Sequence, residues 1–358
     1  MTTRRSPSAL TRRTFLGRVV LASGAVGITL PVGAAATTKR PRPFIQTVLG
    51  PIPADQFGLV LTHEHVMCDF IGADQTGRQR WNVNEVVRRM LPHLNQLKER
   101  GISGFIDCTP AYIGRDPRVL KRLAQETGMH LVTNTGYYGA AGDKFVPKHA
   151  WQETADQLAD RWVREWEHGI EDTGVRPGFI KTGVDEAKGD PPQLSDIDAK
   201  LVRAAALASK RTGLPVICHT SGGPAGLRAI EVFLREKANP ARFIAAHSDG
   251  HGLGINRQVA AQGAWVSFDA ISRQPVEQHV NLVTAMLEKH AQRLLLSQDN
   301  GWYSVGQPNG GDVRDFNGLT DSFLPALRRA GVSETTIHKL TVANPAVAFA
   351  LGAPRQGK

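Results

Sequence analysis

Short apolar, β-branched runs alternate with amphipathic stretches eight times between residues 58 and 299, and this repetition restricts the fold more than any other feature of the chain. The runs are Gly58 to His65, Ser103 to Pro110, Leu131 to Tyr138, Gly178 to Asp185, Pro215 to Thr220, Arg242 to Ser248, Trp265 to Asp269 and Arg293 to Asp299. Such alternation predicts parallel strands joined by helical crossovers, and eight units predict closure into one (β/α)8 TIM barrel rather than an open doubly wound sheet. The joints carry matching signals. Gly101, Gly128, Gly213 and Gly263 stand where helices end, a place that favours a residue able to take φ > 0. Asp116 before Pro117, and Ser195 with Asp198 three residues on, read as helix starts. No Gly-x-Gly-x-x-Gly turn follows the first strand, which argues against dinucleotide binding.

The first forty residues follow a different logic. Thr11-Arg12-Arg13-Thr14-Phe15-Leu16-Gly17 precedes an apolar run from Val19 to Val32 and then Ala34-Ala35-Ala36, the pattern of a cleavable twin-arginine export signal. Gly24, Gly27 and Pro31 leave the run short of the roughly 20 apolar residues a membrane span needs, so no stable membrane anchor is expected. The expected organisation is a signal over 1–36, a basic linker over 37–43 and a barrel over 44–358. Its location is expected to be periplasmic or secreted, with the twin-arginine translocase a transient partner. That pathway carries folded proteins, often loaded with a metal or cofactor. The formal charge of +10 would suggest a nucleic-acid partner. Residues 1–42, however, hold eight basic and no acidic residues, so the barrel is nearly neutral and no nucleic acid is expected. Three scattered cysteines define no disulfide framework.

Barrels of this kind place their chemistry at the C-terminal ends of the strands. Four of the twelve histidines stand there: His63, His65, His219 and His247. Period-2 alternation predicts that Leu61, His63 and His65 share the inward face and that Glu64 points out. Asp299 ends the eighth strand. Four imidazoles and a carboxylate on four strands suit zinc or a similar divalent ion. Lys181 lies in the apolar fourth strand at the same level, where burial penalises an ammonium. Two readings are open for it: an ion pair with a carboxylate such as Asp299, or a carbamate formed with carbon dioxide whose two oxygens bridge two metal ions.

With these motifs in order, the chain resembles the phosphotriesterase family of the amidohydrolase superfamily, which includes phosphotriesterase-like lactonases, over nearly all of residues 44–351. The resemblance rests on Leu61-Thr62-His63-Glu64-His65, Gly169-Ile170-Glu171-Asp172-Thr173-Gly174, Phe179-Ile180-Lys181, His219, His247-Ser248-Asp249, Ser297-Gln298-Asp299 and Thr341-Val342-Ala343-Asn344-Pro345-Ala346. It implies that His63, His65 and Asp299 hold the more buried of two divalent ions, with zinc the expected metal, and that His219 and His247 hold the other. It further implies that N6-carboxylated Lys181 and a hydroxide bridge them. The bridging hydroxide would attack a carbonyl or phosphoryl centre polarised by the exposed ion, with Asp299 accepting the proton.

The choice of substrate turns on finer details. Organophosphate-cleaving relatives back the metal-bound Asp with a His after strand seven and an Asp after strand six, where this chain has Ala270 and Gly250. That relay is expected to be absent, with His251 and Arg273 the nearby replacements. Tyr138 aligns with the Tyr that similar lactonases place beside the exposed metal. A lactone or related carboxylic ester is therefore the expected substrate, with promiscuous organophosphate triesterase activity. The alternatives are a true phosphotriesterase and a metal-binding scaffold without turnover. Residues Gly301 to Gly318 read as a long substrate-selecting loop. Cys68 is expected near the metals, and Cys108 and Cys218 as small packing residues. His93, His130, His149, His168, His279, His290 and His338 are expected at the surface. Trp151, Trp162 and Trp166 read as one helix, packed on the barrel or forming a homodimer contact.

Overall fold

The computed structural model describes residues 42–352, so the expected export signal and most of the basic linker lie outside the described residues. Every one of the eight predicted strands forms. They are Leu59–Cys68, Ile102–Asp107, a third strand in two pieces (His130–Val132 and Asn134–Thr135), Phe179–Val184, Val216–Thr220, Phe243–Ala246, Trp265–Phe268 and Leu294–Leu296. Each pairs in parallel with the next. The third strand breaks at Thr133 because its first piece pairs with the second strand and its last two residues with the fourth.

One residue from each strand meets in a closed apolar cluster: Val60, Ile106, Val132, Phe179, Ile217, Ile244, Trp265 and Leu295. This is the barrel interior. Phe57, Ile45 and Phe349 complete it, the last two from an N-terminal strand and the C-terminal helix. A larger cluster fills the layer between strands and helices. The architecture is thus α/β with parallel strands, of the TIM-barrel type.

Closure between the eighth and first strands uses few ladder bonds. The Asp299 N–H donates to His63 O at 3.0 Å and the His65 N–H to Asn300 O at 3.1 Å. Residues Gly301–Ser304, expected as loop, instead form a strand parallel to His65–Cys68 and extend the seam. Glu64 locks it. Its carboxylate accepts from Ser297 Oγ at 2.7 Å, Gln298 N at 3.0 Å and Asn300 N at 2.7 Å. Glu64 is fully buried, so the expectation that it points away from the barrel mouth holds only in the sense that it turns into the seam.

The helix signals act where the sequence placed them. Gly101, Gly128, Gly213 and Gly263 all have φ between 72° and 90°. Asp116 Oδ1 accepts from Arg118 N at 2.9 Å as the helix Pro117–Thr127 begins. Ser195 caps Asp196–Thr212, but only half a capping box forms: Asp198 turns its carboxylate to Asp185 N at 3.2 Å instead of back to Ser195. The three tryptophans do not share a helix. Trp151 lies on Lys148–Gln152 and is 51% exposed, whereas Trp162 and Trp166 lie on Ala155–His168, which a Thr154–Gln157 capping box starts afresh. No helix of the described residues is long and apolar enough to cross a membrane.

Replacing Glu64 by Ala strands three buried donors at the seam. The variant is expected to lose on the order of 3 kcal/mol or more of unfolding free energy. Urea denaturation followed by tryptophan fluorescence measures this, and a loss below about 1 kcal/mol would show that Glu64 does not hold the seam closed.

Candidate metal centre

Alternation along each strand decides part of the site. Lys181 lies two residues beyond Phe179, and His219 two beyond Ile217, so both continue the inward face above the apolar floor. The first strand departs from simple alternation. Val60 faces the barrel interior and Leu61 the helical layer, so Leu61 does not share a face with His63 and His65 as expected. A register irregularity between Leu61 and Glu64 changes the parity and turns both histidines into the mouth. His247 and Asp299 are aimed by backbone conformation. Both have left-handed φ, 60° and 51°, which non-glycine residues adopt at a cost and which is common at functional sites.

The four imidazoles form an arc. Ring centroids step from His65 to His63 over 5.8 Å, to His247 over 4.8 Å and to His219 over 4.3 Å. Asp299 Oδ1 stands 2.9 Å from His65 Nε2 and 3.8 Å from His63 Nε2, and these three residues form one group able to hold a cation. The two Nδ1 atoms differ in how they are held. His65 Nδ1 bonds Thr109 Oγ1 at 2.8 Å, and His63 Nδ1 lies 3.1 Å from Asp269 Oδ2. The Thr109 bond fixes the His65 ring, whereas His63 Nδ1 is buried near Asp269 without a hydrogen bond.

Burial, reinforced by nearby positive charge, holds His63 and His219 well below the usual imidazole range. For His247 burial followed by the His63 charge brings the value to about 4. These rings are therefore neutral at pH 7, the form that ligates. At Asp299 burial acts upward, but the hydrogen bond and charge of His65 prevail and keep the carboxyl well below its normal range.

Lys181 is 1% exposed, and its Nζ has no hydrogen-bond partner. The alternative of an ion pair with Asp299 is not realised. An ammonium with three donors, facing imidazoles and no acceptor, is a costly arrangement. Carboxylation removes the positive charge and offers two oxygens to cations, so the donor set fits a pair of divalent ions.

These side chains line a cavity of about 360 Å³ whose other walls are mostly apolar, including Phe70, Ile113, Tyr138, Phe145 and Trp302, with Lys144 the charged exception. Tyr138 stacks edge-on to His219 with centroids 5.1 Å apart. Gly183 admits it, since a Cβ there would sit 2.9 Å from the Tyr138 ring, and Gly136 lets the third strand approach the fourth, where a Cβ would sit 2.1 Å from Lys181 O. Cys68 reaches the cavity as expected. Cys108 also borders it while packing in the interior cluster.

Of the two candidate replacements for the missing relay, Arg273 bonds Asp299 Oδ2 directly. His251 is buried and bonded to Thr220 Oγ1 at 2.8 Å, with no bond to Asp299. His279 overturns its surface assignment. It is 1% exposed on the helix Val276–His290, and its Nε2 bonds Asp249 Oδ1 at 2.5 Å. Asp269 and Asp249 were missed as site residues. Position at the ends of strands seven and six was their only sequence signal, and it could not distinguish a ligand from a ligand's partner.

A family model for the phosphotriesterase family matches residues 43–349. The phosphotriesterase homology protein of Mycobacterium tuberculosis is 30% identical over 323 residues, covering 85% of this chain and 96% of the relative. Among solved structures, the organophosphorus hydrolase of Deinococcus radiodurans superposes with a TM-score of 0.76 at 28% identity, covering 86% of this chain and 97% of its own. A chain from work engineering organophosphate hydrolysis activity on a weak promiscuous lactonase template gives 0.75 at 29% identity, with 86% and 99% covered. The fold and the mouth define a TIM-type barrel with a His/Asp donor set able to hold metal at its catalytic end. The chain belongs to the phosphotriesterase family.

Lys181→Ala is expected to retain at most about one zinc per chain after reconstitution with bicarbonate, where the parent protein retains two. Elemental analysis of the gel-filtered protein gives the count. Two tightly held ions in the variant would exclude a bridging role for Lys181.

Proposed function

We propose that the protein is an exported hydrolase that opens lactones or related carboxylic esters, using two divalent ions, with zinc the metal of choice, and carboxylated Lys181. The observation that carries the reading is Tyr138, seated beside His219 in an apolar cavity that also holds the metal-binding side chains. When bound, the ions supply an acidified water and a Lewis acid for the scissile carbonyl. The chain supplies the rest. Burial, then the Asp299 charge, pushes the Tyr138 hydroxyl up, so it stays protonated and can donate to the acyl or leaving oxygen. Asp299 turns Oδ1 to His63 and His65 while Arg273 bonds its Oδ2, so the carboxylate stays ionised and takes the proton at Oδ2 once Arg273 gives way. The walls exclude water from the acyl part of the substrate.

A phosphotriesterase is the second reading, favoured by the likeness to the organophosphorus hydrolase. Against it stand Ala270 and Gly250, which provide no imidazole or carboxylate for the relay. Zinc-loaded protein assayed on a lactone panel and on dialkyl aryl phosphates separates the two. Lactone kcat/KM is expected to exceed triester kcat/KM by about 100-fold or more, equivalent to roughly 3 kcal/mol of transition-state discrimination. Triester turnover without lactone turnover would reverse the assignment. Tyr138→Phe is expected to lower lactone kcat about 100-fold at unchanged metal content. An unchanged kcat would remove Tyr138 from the chemistry.

Export is proposed from the Arg12-Arg13 motif. Replacing both arginines by lysine is expected to leave the unprocessed chain in the cytoplasm on fractionation. Normal processing would show another route.

A further inference from the structure

Behind the imidazole arc runs a buried chain of hydrogen bonds that begins on a helix outside the barrel. His279 Nε2 bonds Asp249 Oδ1 at 2.5 Å. Asp249 in turn accepts from the backbone N–H of Asp269, Oδ2 at 2.8 Å, and of Ala270, Oδ1 at 3.3 Å. Asp269 Oδ1 accepts from Ser267 Oγ at 2.5 Å, and its Oδ2 from the His247 N–H at 2.8 Å. That same Oδ2 stands 3.1 Å from His63 Nδ1 and 3.7 Å from His247 Nδ1. His279, Asp249 and Asp269 are all nearly or wholly inaccessible.

We infer that His279 is a positioning residue for the metal centre, acting through Asp249 and the Asp269 backbone to hold the Asp269 carboxylate, which faces both His63 and His247. This rests on the hydrolase reading and goes beyond it, because His279 touches neither ligand nor cavity. Asp269 faces a histidine from each of the two expected ion sites, so a shift of its peptide displaces both rings together. His247 is the ring most in need of restraint. Its left-handed φ of 60° is a strained conformation, and the bond from its own N–H to Asp269 Oδ2 opposes relaxation of that turn. Asp249 connects the two strand ends: it follows His247 by two residues and fixes the peptides that start the turn after strand seven. The Nε2–H of His279 is the side-chain donor that fixes Asp249, while His279 Nδ1 is buried without a partner. A buried imidazole with half its capacity unused contributes little as packing alone, where a phenyl ring would serve better. The geometry accounts for the residue through the bond it makes.

Second-sphere partners of metal-bound histidines are worth roughly 10- to 100-fold in affinity. His279→Phe keeps the ring volume and removes the donor, while His279→Gln keeps a donor at similar reach. Zinc dissociation constants are read by competition with a chromophoric chelator, alongside thermal melts of the metal-free proteins and kcat and KM on the best ester. The expected result is about a 10-fold or greater loss of zinc affinity in His279→Phe, recovery to within about 3-fold in His279→Gln, and a lower kcat at similar KM. Should His279→Phe fail to fold, Asp249→Asn, which removes the charge and keeps the shape, is expected to show the same affinity loss. Parent-like affinity in His279→Phe or in Asp249→Asn overturns the inference, as does an equal loss in the Phe and Gln variants, which would mark a packing role. A parent protein that binds no zinc overturns the hydrolase reading itself, a result distinct from either.

Discussion

Closure of the barrel between its eighth and first strands is the constraint on which the site depends. Asp299 and the two histidines of the first strand belong to segments more than two hundred residues apart, and Asp299 approaches His65 only because that seam shuts. Few ladder bonds are available there. The seam is held by crossed backbone bonds at His63 and His65, and by Glu64, whose carboxylate takes three donors from Ser297 to Asn300. The residue between the two histidines is therefore the clasp that brings their partner within reach.

The second organising fact is the poverty of acceptors around Lys181. Buried polar groups are normally paired, and a site that leaves the Lys181 ammonium orphaned beside buried imidazoles is electrostatically unbalanced. The same imbalance is what a binuclear centre would resolve. Two cations would balance Asp299 and a carboxylated Lys181 and would draw on the imidazoles of the arc, whose ring centroids lie 4.3 to 5.8 Å apart. Thr109 bonds His65 Nδ1, and Asp269 Oδ2 stands 3.1 Å from His63 Nδ1. The centre is thus largely organised by the protein fold.

Much of the fold was legible because strands and helices announce themselves locally. Eight apolar runs, glycines at helix ends and caps such as Asp116 each depend on a few neighbouring residues, and each acts as the sequence suggests. The inward direction of Lys181 and His219 followed from period-2 alternation. Where alternation failed, tertiary structure had intervened. The irregular register of the first strand separated Leu61 from His63, and a left-handed turn aimed His247. The loop expected from Gly301 began as a strand because closure at the seam offered His65 to Cys68 as a pairing edge.

The sequence by itself determined the barrel, the family and the six side chains His63, His65, Lys181, His219, His247 and Asp299 that gather at its mouth, since strand-end position is a local property. Only the tertiary structure decided how each is held: Glu64 in the seam, Arg273 on Asp299, and buried His279 reaching Asp249 from a helix that looked solvent-facing. The reason is physical. A hydrogen bond between distant residues depends on where packing and closure bring two backbones, and neither residue carries a local signal for the other.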